Sequence, residues 1–216
     1  EAALKNEVEW RGRLEGAGKM DVRQFVERGY SPYEKRFDMV TREEGSGFGA
    51  SHTMEYSFSS FAVSQFAKHL GKEDDYKLLS NLSNGWKNLY DPETRLIRPK
   101  DTKGNFLEDF NPLAPWKGFQ EGNAVQYTFY VPHQIDELVD LVGQETFNNR
   151  LDSIFLLSQK NIFGGGKEVD AFAGLKTVYN HGNQPNLHIS WLFNFSGKPY
   201  LSQKWVRAIL DEFYGL

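Results

Sequence analysis

Glu121 is the residue whose setting most invites chemistry. It lies in the run Trp116-Lys117-Gly118-Phe119-Gln120-Glu121-Gly122-Asn123-Ala124-Val125-Gln126-Tyr127, just ahead of a helix expected to begin near Asn123. Trp116, Phe119 and Tyr127 are its aromatic neighbours in sequence. A carboxyl group in apolar surroundings has a raised pKa and becomes a usable general acid. The same position also suits a structural Glu that meets the positive end of a helix. The residues by themselves leave both readings open, with the structural one ahead.

A second polar run, Tyr179-Asn180-His181-Gly182-Asn183-Gln184-Pro185-Asn186-Leu187-His188, is broken by Gly and Pro, so backbone carbonyls stay outside a helix. Hard cations such as Ca²⁺ accept backbone, Asn and Gln oxygens. The run reads equally as a turn feeding a helix at Asn186. His181 and His188 are seven apart, the wrong spacing for a zinc pair on one helix face. Gly164-Gly165-Gly166-Lys167 lacks the spacing and the Ser/Thr of a phosphate loop, and no G-x-S-x-G elbow occurs. Glu108-Asp109 reads as a solvated loop face. His133, after Pro132, reads as a core or capping residue in a kinked helix. Glu55, beside Tyr56, reads as facing either a cleft or a salt bridge.

The elements that must position these loops are helices. Met54, Phe58, Ala62, Phe66 and Leu70 recur every four residues, widened by Phe61, Val63 and Ala67, and Gly71 ends the run. Leu79, Leu82, Trp86 and Leu89 form a second stripe that Asp91-Pro92 stops. The pairing returns with Ile135, Leu138, Val139 and Val142, then Gly143, then Phe147, Leu151, Ile154 and Phe155. A third copy has Trp191, Leu192 and Phe195 before Gly197, and Val206, Ile209, Leu210 and Phe213 after Pro199. Each copy predicts an αα-hairpin. Long Gly/Pro/Asn-rich segments, 95–123 and 163–185, separate the hairpins, which points to an all-α toroid with elaborate loops at one end. Residues 1–30 read as more polar helix, with Asp21 capping a short helix over 22–27 that ends at Gly29. The alternate glycines 45, 47 and 49 predict a loop over 41–50.

Composition narrows the partners. Aromatics make up 15% of the 216 residues, enough either to fill a helical core or to line a sugar-binding cleft. The net charge is −4, and Lys and Arg form no basic stripe, which argues against nucleic acid and anionic membranes. The absence of Cys removes disulfides and thiolate metal sites. No apolar run approaches the roughly 20 residues of a membrane span. The start, Glu-Ala-Ala-Leu-Lys, reads as the interior of a longer polypeptide.

The segment from Gly118 to Tyr127, followed by Val131-Pro132-His133, resembles glycoside hydrolase family 92, the bacterial exo-acting α-mannosidases, whose pattern is Glu-Gly-Asn-Ala-Trp-Gln-Tyr and then Val-Pro-His. Tyr179 to Pro185 resembles the family's His-Gly-Asn-Glu-Pro loop. Thr53 to Tyr56, Leu70 to Tyr76, Asn88 to Thr94 with Arg98-Pro99, and Leu192 to Pro199 are also similar, so the likeness runs from about Gly29 to Tyr200. The resemblance implies part of an (α/α)₆ catalytic barrel over residues 1–216. It also implies an N-terminal β-sandwich and the rest of the barrel elsewhere in the polypeptide.

The activity so implied is inverting hydrolysis of terminal α-mannosides of glycans, with α-1,2 as the working guess for linkage. Ca²⁺ would bind sugar hydroxyls and help distort the ring. Glu121 corresponds to the general acid. Asn123, Gln126, His181 and Asn183 are carried over as substrate-binding residues, and Asn183 and Gln184 as calcium ligands. A periplasmic, cell-surface or secreted location in a bacterium is implied too. Val125 replaces the usual Trp, Gln184 the common Glu, and Ser57 to Phe61 lack the usual acidic pair, which bears on pocket shape and charge at the calcium. The family's general base belongs to a Gly-Asn-Glu-Asp-x-Gly-Gln motif absent from the sequence, so residues 1–216 alone are expected to be inactive. A non-catalytic glycan-binding toroid, or a lyase or epimerase using Tyr127 or His181 as base, are the rival readings.

Overall fold

A computed structural model describes residues 1–10, 18–35, 45–164 and 172–215. The structure is all-α apart from two two-residue strands, β1 (Tyr90–Asp91) and β2 (Leu96–Ile97), which make the one two-stranded sheet among the described residues. No described helix is long and apolar enough to cross a membrane. The chain divides into two compact units, Glu1–Asp91 with Ile97–Phe110 and Trp116–Gln120, and Pro92–Leu96 with Asn111–Pro115 and Glu121–Leu216.

The first unit is built on α3 (Gly49–His69) and α4 (Glu73–Leu82), joined by the left-handed Gly71, with α1 (Ala2–Val8) and α2 (Val22–Arg28) alongside. This is the first predicted hairpin, but α3 buries a different face. Met54 is enclosed, whereas Phe58, Ala62, Phe66 and Leu70 are exposed, Phe66 at 58%. The buried side is small and hydroxylic: Ser57, Ser60, Ser64 and Ala67.

Close approach explains the choice. Ser57 Oγ donates to Thr53 O at 2.7 Å and accepts from the Trp86 N–H at 3.0 Å. Gly85 is so tightly held that a Cβ there would meet Gly29 O and the Phe25 ring, each at 2.7 Å. Bulky side chains on that face would push the neighbouring segment away, and the hydroxyls are satisfied, Ser57 and Ser64 by main-chain partners and Ser60 by donating to Glu7 Oε2 at 3.0 Å. The predicted second stripe is also broken in two. α4 ends at Leu82, and Trp86 and Leu89 are buried from a 3₁₀ turn, Gly85–Leu89.

Asp21 stands at the start of α2, but its side chain caps nothing. Its backbone is left-handed (φ 56), and its Oδ2 instead accepts from Ser31 Oγ at 2.9 Å and lies 3.0 Å from His52 Nδ1. Helix α3 begins at Gly49, inside the segment expected to be a loop; residues 41–44 of that segment, like 11–17 of the expected N-terminal helix and Gly165 to Lys167, lie outside the described residues. Glu108 and Asp109 are exposed as expected, and the Lys117 ammonium beside Asp109 holds that carboxyl below its usual range. Glu55 is exposed as well.

The second unit contains α5 (Ala124–Tyr127), α6 (Ile135–Val142), α7 (Gln144–Gln159) and α8 (Pro199–Ile209). Helices α6 and α7 turn at Gly143 (φ 86) and are the second predicted hairpin. Pro132 and His133 lie in the turn before α6 rather than inside a helix, since the residue preceding a Pro disfavours helical backbone.

In the third copy, Ile189–Asn194 winds as a 3₁₀ helix: the few residues between His188 and Gly197 are bonded i→i+3, Trp191 N–H to His188 O and Phe195 N–H to Leu192 O, both 3.0 Å. Leu192 is buried there, but Trp191 and Phe195 are exposed. The core is aromatic. Phe155 stacks on Trp205 at 5.4 Å and packs against Tyr179 at 4.9 Å and Phe193 at 6.2 Å. Trp205 Nε1 donates to Asp152 Oδ1 at 2.7 Å, which satisfies the indole at the edge of the core. Much of the aromatic excess is thus core filling.

Candidate active site

Glu121, Asn123, Gln126, His181, Asn183 and Gln184 all belong to the second unit. Trp116 and Phe119, expected beside Glu121, belong to the first, where Trp116 is exposed and its ring lies 5.9 Å from that of Phe48. Tyr127 does stand close to the loop: a Cβ on Gly122 would come 2.9 Å from its ring and 2.8 Å from Gln126 Oε1.

Asn123 caps α5 as its extended backbone and amide predict. Its Oδ1 accepts from the Gln126 N–H at 3.2 Å, and its Nδ2 donates to Leu175 O and Thr177 O at 2.9 Å each. Gln126 Nε2 donates to Gly174 O at 2.9 Å and Thr177 O at 2.8 Å. These two fully buried amides therefore pin the segment that leads into the second motif. Thr177 Oγ1 lies 2.7 Å from Tyr179 O and 2.8 Å from Gly174 O. Asn123 and Gln126 are expected from the sequence to bind substrate, but their amide donors are taken up by main-chain carbonyls.

Glu121 precedes this cap with left-handed backbone, φ 52, which costs a non-glycine residue about 1–2 kcal/mol. Its carbonyl oxygen accepts from Asn183 Nδ2 at 2.7 Å, so the two sequence motifs are joined directly. The residue as a whole is half-buried. Asn183 is buried, and Gln184 is exposed at the first position of the 3₁₀ turn Gln184–Asn186.

His181 is buried between two phenols, with Nδ1 2.7 Å from Tyr179 Oη and Nε2 3.0 Å from Tyr214 Oη. Burial lowers its pKa and raises that of Tyr179. Neither tyrosine was singled out from the sequence. Tyr179 opens the His-Gly-Asn motif and could have been weighed for that reason, whereas Tyr214 sits in no motif.

Any cation site here would be made of oxygens. Among the described residues no group of three or more His, Cys, Asp or Glu stands together. The donors at hand are neutral amides. Asn183 Oδ1 is left over once Nδ2 is engaged, Gln184 brings a second amide oxygen, and Gln126 Oε1 is buried with no hydrogen-bond partner. In donor type this set fits a hard divalent cation.

The glycosyl hydrolase family 92 catalytic domain matches residues 1–216. A solved family GH92 α-mannosidase from Bacteroides thetaiotaomicron is 31% identical with a TM-score of 0.74, over 97% of this chain and 27% of that one. The same enzyme in complex with mannoimidazole is 32% identical at a TM-score of 0.73, over 89% and 25%. A family GH92 inverting mannosidase from that bacterium, 24% identical with a TM-score of 0.77 over 97% of this chain, shares the fold. An uncharacterized secreted glycosidase of Arthroderma benhamiae is 28% identical over 181 residues, 71% of this chain and 20% of that protein. The chain spans about a quarter of the solved relatives and a fifth of the curated one. With residues 1–216 all matched by the family's catalytic domain, and the two loop motifs hydrogen-bonded to each other through Glu121 and Asn183, the chain belongs to glycosyl hydrolase family 92.

Proposed function

We propose that these residues form part of the (α/α)₆ catalytic barrel of a calcium-dependent α-mannosidase, with Glu121 as its general acid. The observation that carries the reading is Glu121 itself: a half-buried acidic residue on left-handed backbone, its carbonyl tied to Asn183 of the second motif. Strain of this kind persists only where neighbours enforce it, and it clusters at functional sites.

In the reaction, the Glu121 carboxyl gives its proton to the glycosidic oxygen as the C1–O bond breaks and that oxygen keeps the electron pair. Water attacks C1 from the opposite face and passes its proton to a second carboxylate, giving inversion. Such pairs stand roughly 6.5–9.5 Å apart. The second carboxylate comes from outside residues 1–216, so the isolated segment does not turn over. Asn183 and Gln184 hold Ca²⁺, which when bound supplies a grip on the hydroxyls of the mannose. Asn123 and Gln126 serve the sugar site by pinning residues 174–177, which lead into the loop of His181. The substrate is a terminal α-mannoside of a glycan, with α-1,2 linkage. The enzyme acts outside the bacterial cytoplasm, as a secreted relative suggests, and carries a β-sandwich and the remaining barrel.

The test is Glu121→Gln in the intact enzyme, assayed on an α-mannobioside with and without chelator. Mannose release is expected to fall by about 10²–10⁴-fold, the usual range for losing an acid catalyst. Chelator should abolish the wild-type rate. Full activity in the variant overturns the assignment.

A further inference from the structure

The two phenols around His181 set the direction of a hydrogen-bond chain. A neutral imidazole carries one proton, so one ring nitrogen accepts and the other donates. Tyr179 is fully enclosed, and the hydrogen bond of its hydroxyl is the one to Nδ1 at 2.7 Å. A buried hydroxyl proton must be placed on an acceptor, and that acceptor is Nδ1. Nε2 therefore bears the imidazole proton and donates to Tyr214 Oη at 3.0 Å. The chain runs Tyr179 to His181 to Tyr214 and leaves Tyr214 with a hydroxyl proton that His181 does not consume.

Tyr214 is suited to use it. The residue is 56% exposed, while its ring packs edge-on against Phe213 at 5.3 Å and His181 at 5.6 Å. It ends a π-helical turn, Leu210–Tyr214, that continues α8, and such widened turns recur at functional sites.

We infer that Tyr214 is a further ligand-binding residue of this site, offering its O–H to an oxygen of the bound sugar, and that His181 is a positioning residue acting through it. The buried donor strengthens the outer one, because hydrogen bonds in a chain polarise each other. The inference rests on the reading of this region as the sugar site.

Two measurements test it. In the intact enzyme, the ¹⁵N shifts of the imidazole, assigned with His181→Gln, should show His181 as the Nε2–H tautomer, retained in Tyr214→Phe and lost as a single form in Tyr179→Phe. An Nδ1–H tautomer in the wild type overturns the inference. In the intact enzyme, Tyr214→Phe should raise KM for an α-mannobioside by about 5–10-fold, the worth of one hydrogen bond, with kcat changed less than twofold. An unchanged KM overturns it as well. Glu121→Gln is run beside it: a full rate there removes the general-acid assignment and leaves the KM of Tyr214→Phe to judge this proposal separately.

Discussion

Asn183 Nδ2 donates to the main-chain carbonyl of Glu121 across 2.7 Å, joining loops 62 residues apart in sequence. The bond fixes a peptide, not a carboxylate, so it orients Glu121 without touching its titrating group. Removing it should loosen the left-handed turn from which that side chain projects.

Asn183→Ala is therefore expected to lower unfolding stability by about 0.5–1.5 kcal/mol, the net worth of a part-buried hydrogen bond. In the intact enzyme kcat should fall as well. Urea denaturation gives the first and steady-state kinetics the second. A variant as stable as the parent would show that the bond does not hold the turn.

The backbone of Glu121 separates stability from function. At φ 52 a Cβ is strained and glycine is not. Glu121→Gly should be more stable than Glu121→Ala by about 1 kcal/mol, the balance of relieved strain against added chain entropy. Both variants should be inactive in the intact enzyme. Thermal midpoints of the pair decide it: an Ala variant at or above the Gly variant refutes the strain argument.

The buried face of α3 makes a contrast that the periodicity of its large residues does not. Gly85→Ala puts a methyl 2.7 Å from both Gly29 O and the Phe25 ring, main chain on one side and core on the other. Overpacking of this kind costs about 1–3 kcal/mol. Phe66→Lys, on the exposed side, should change the stability of residues 1–216 by less than about 0.5 kcal/mol. Denaturant midpoints for the two variants would be reversed if α3 were buried through Phe58 and Phe66.

That contrast shows where sequence patterns inform and where they fail. The hairpin breaks at Gly71 and Gly143 were legible because a left-handed residue at a helix end selects glycine. The start of α5 near Asn123 was legible in the sequence, but the use of the Asn123 amide as its cap was not, because the same amide served equally as a sugar ligand. The buried face of α3 was not, because hydropathy favours Phe58 and Phe66 while steric access favours Ser57, Ser60 and Ser64. The two loop motifs were quoted from sequence, but their joining through Asn183 needs coordinates. Tyr214 had no local signal at all, since its meaning lies in a ring 33 residues away.

Histidine burial gives the pH prediction. Burial lowers the pKa of His188, whose Nε2 lies 3.0 Å from Phe129 O as a donor; that hydrogen bond opposes the shift without reversing it. Burial lowers His181 also. In the unfolded chain both titrate near pH 6.5. Below that pH the unfolded state takes up protons that the folded state resists, so stability falls as pH drops from about 6.5 toward the folded pKa values and then levels. Each group contributes a slope of at most about 1.4 kcal/mol per pH unit. His188→Gln can keep a donor for Phe129 O but cannot titrate, so its unfolding free energy should lose part of this slope between pH 7 and pH 5. Equal slopes in the variant and the parent would mean that His188 protonates as readily folded as unfolded, and that its burial carries no electrostatic cost.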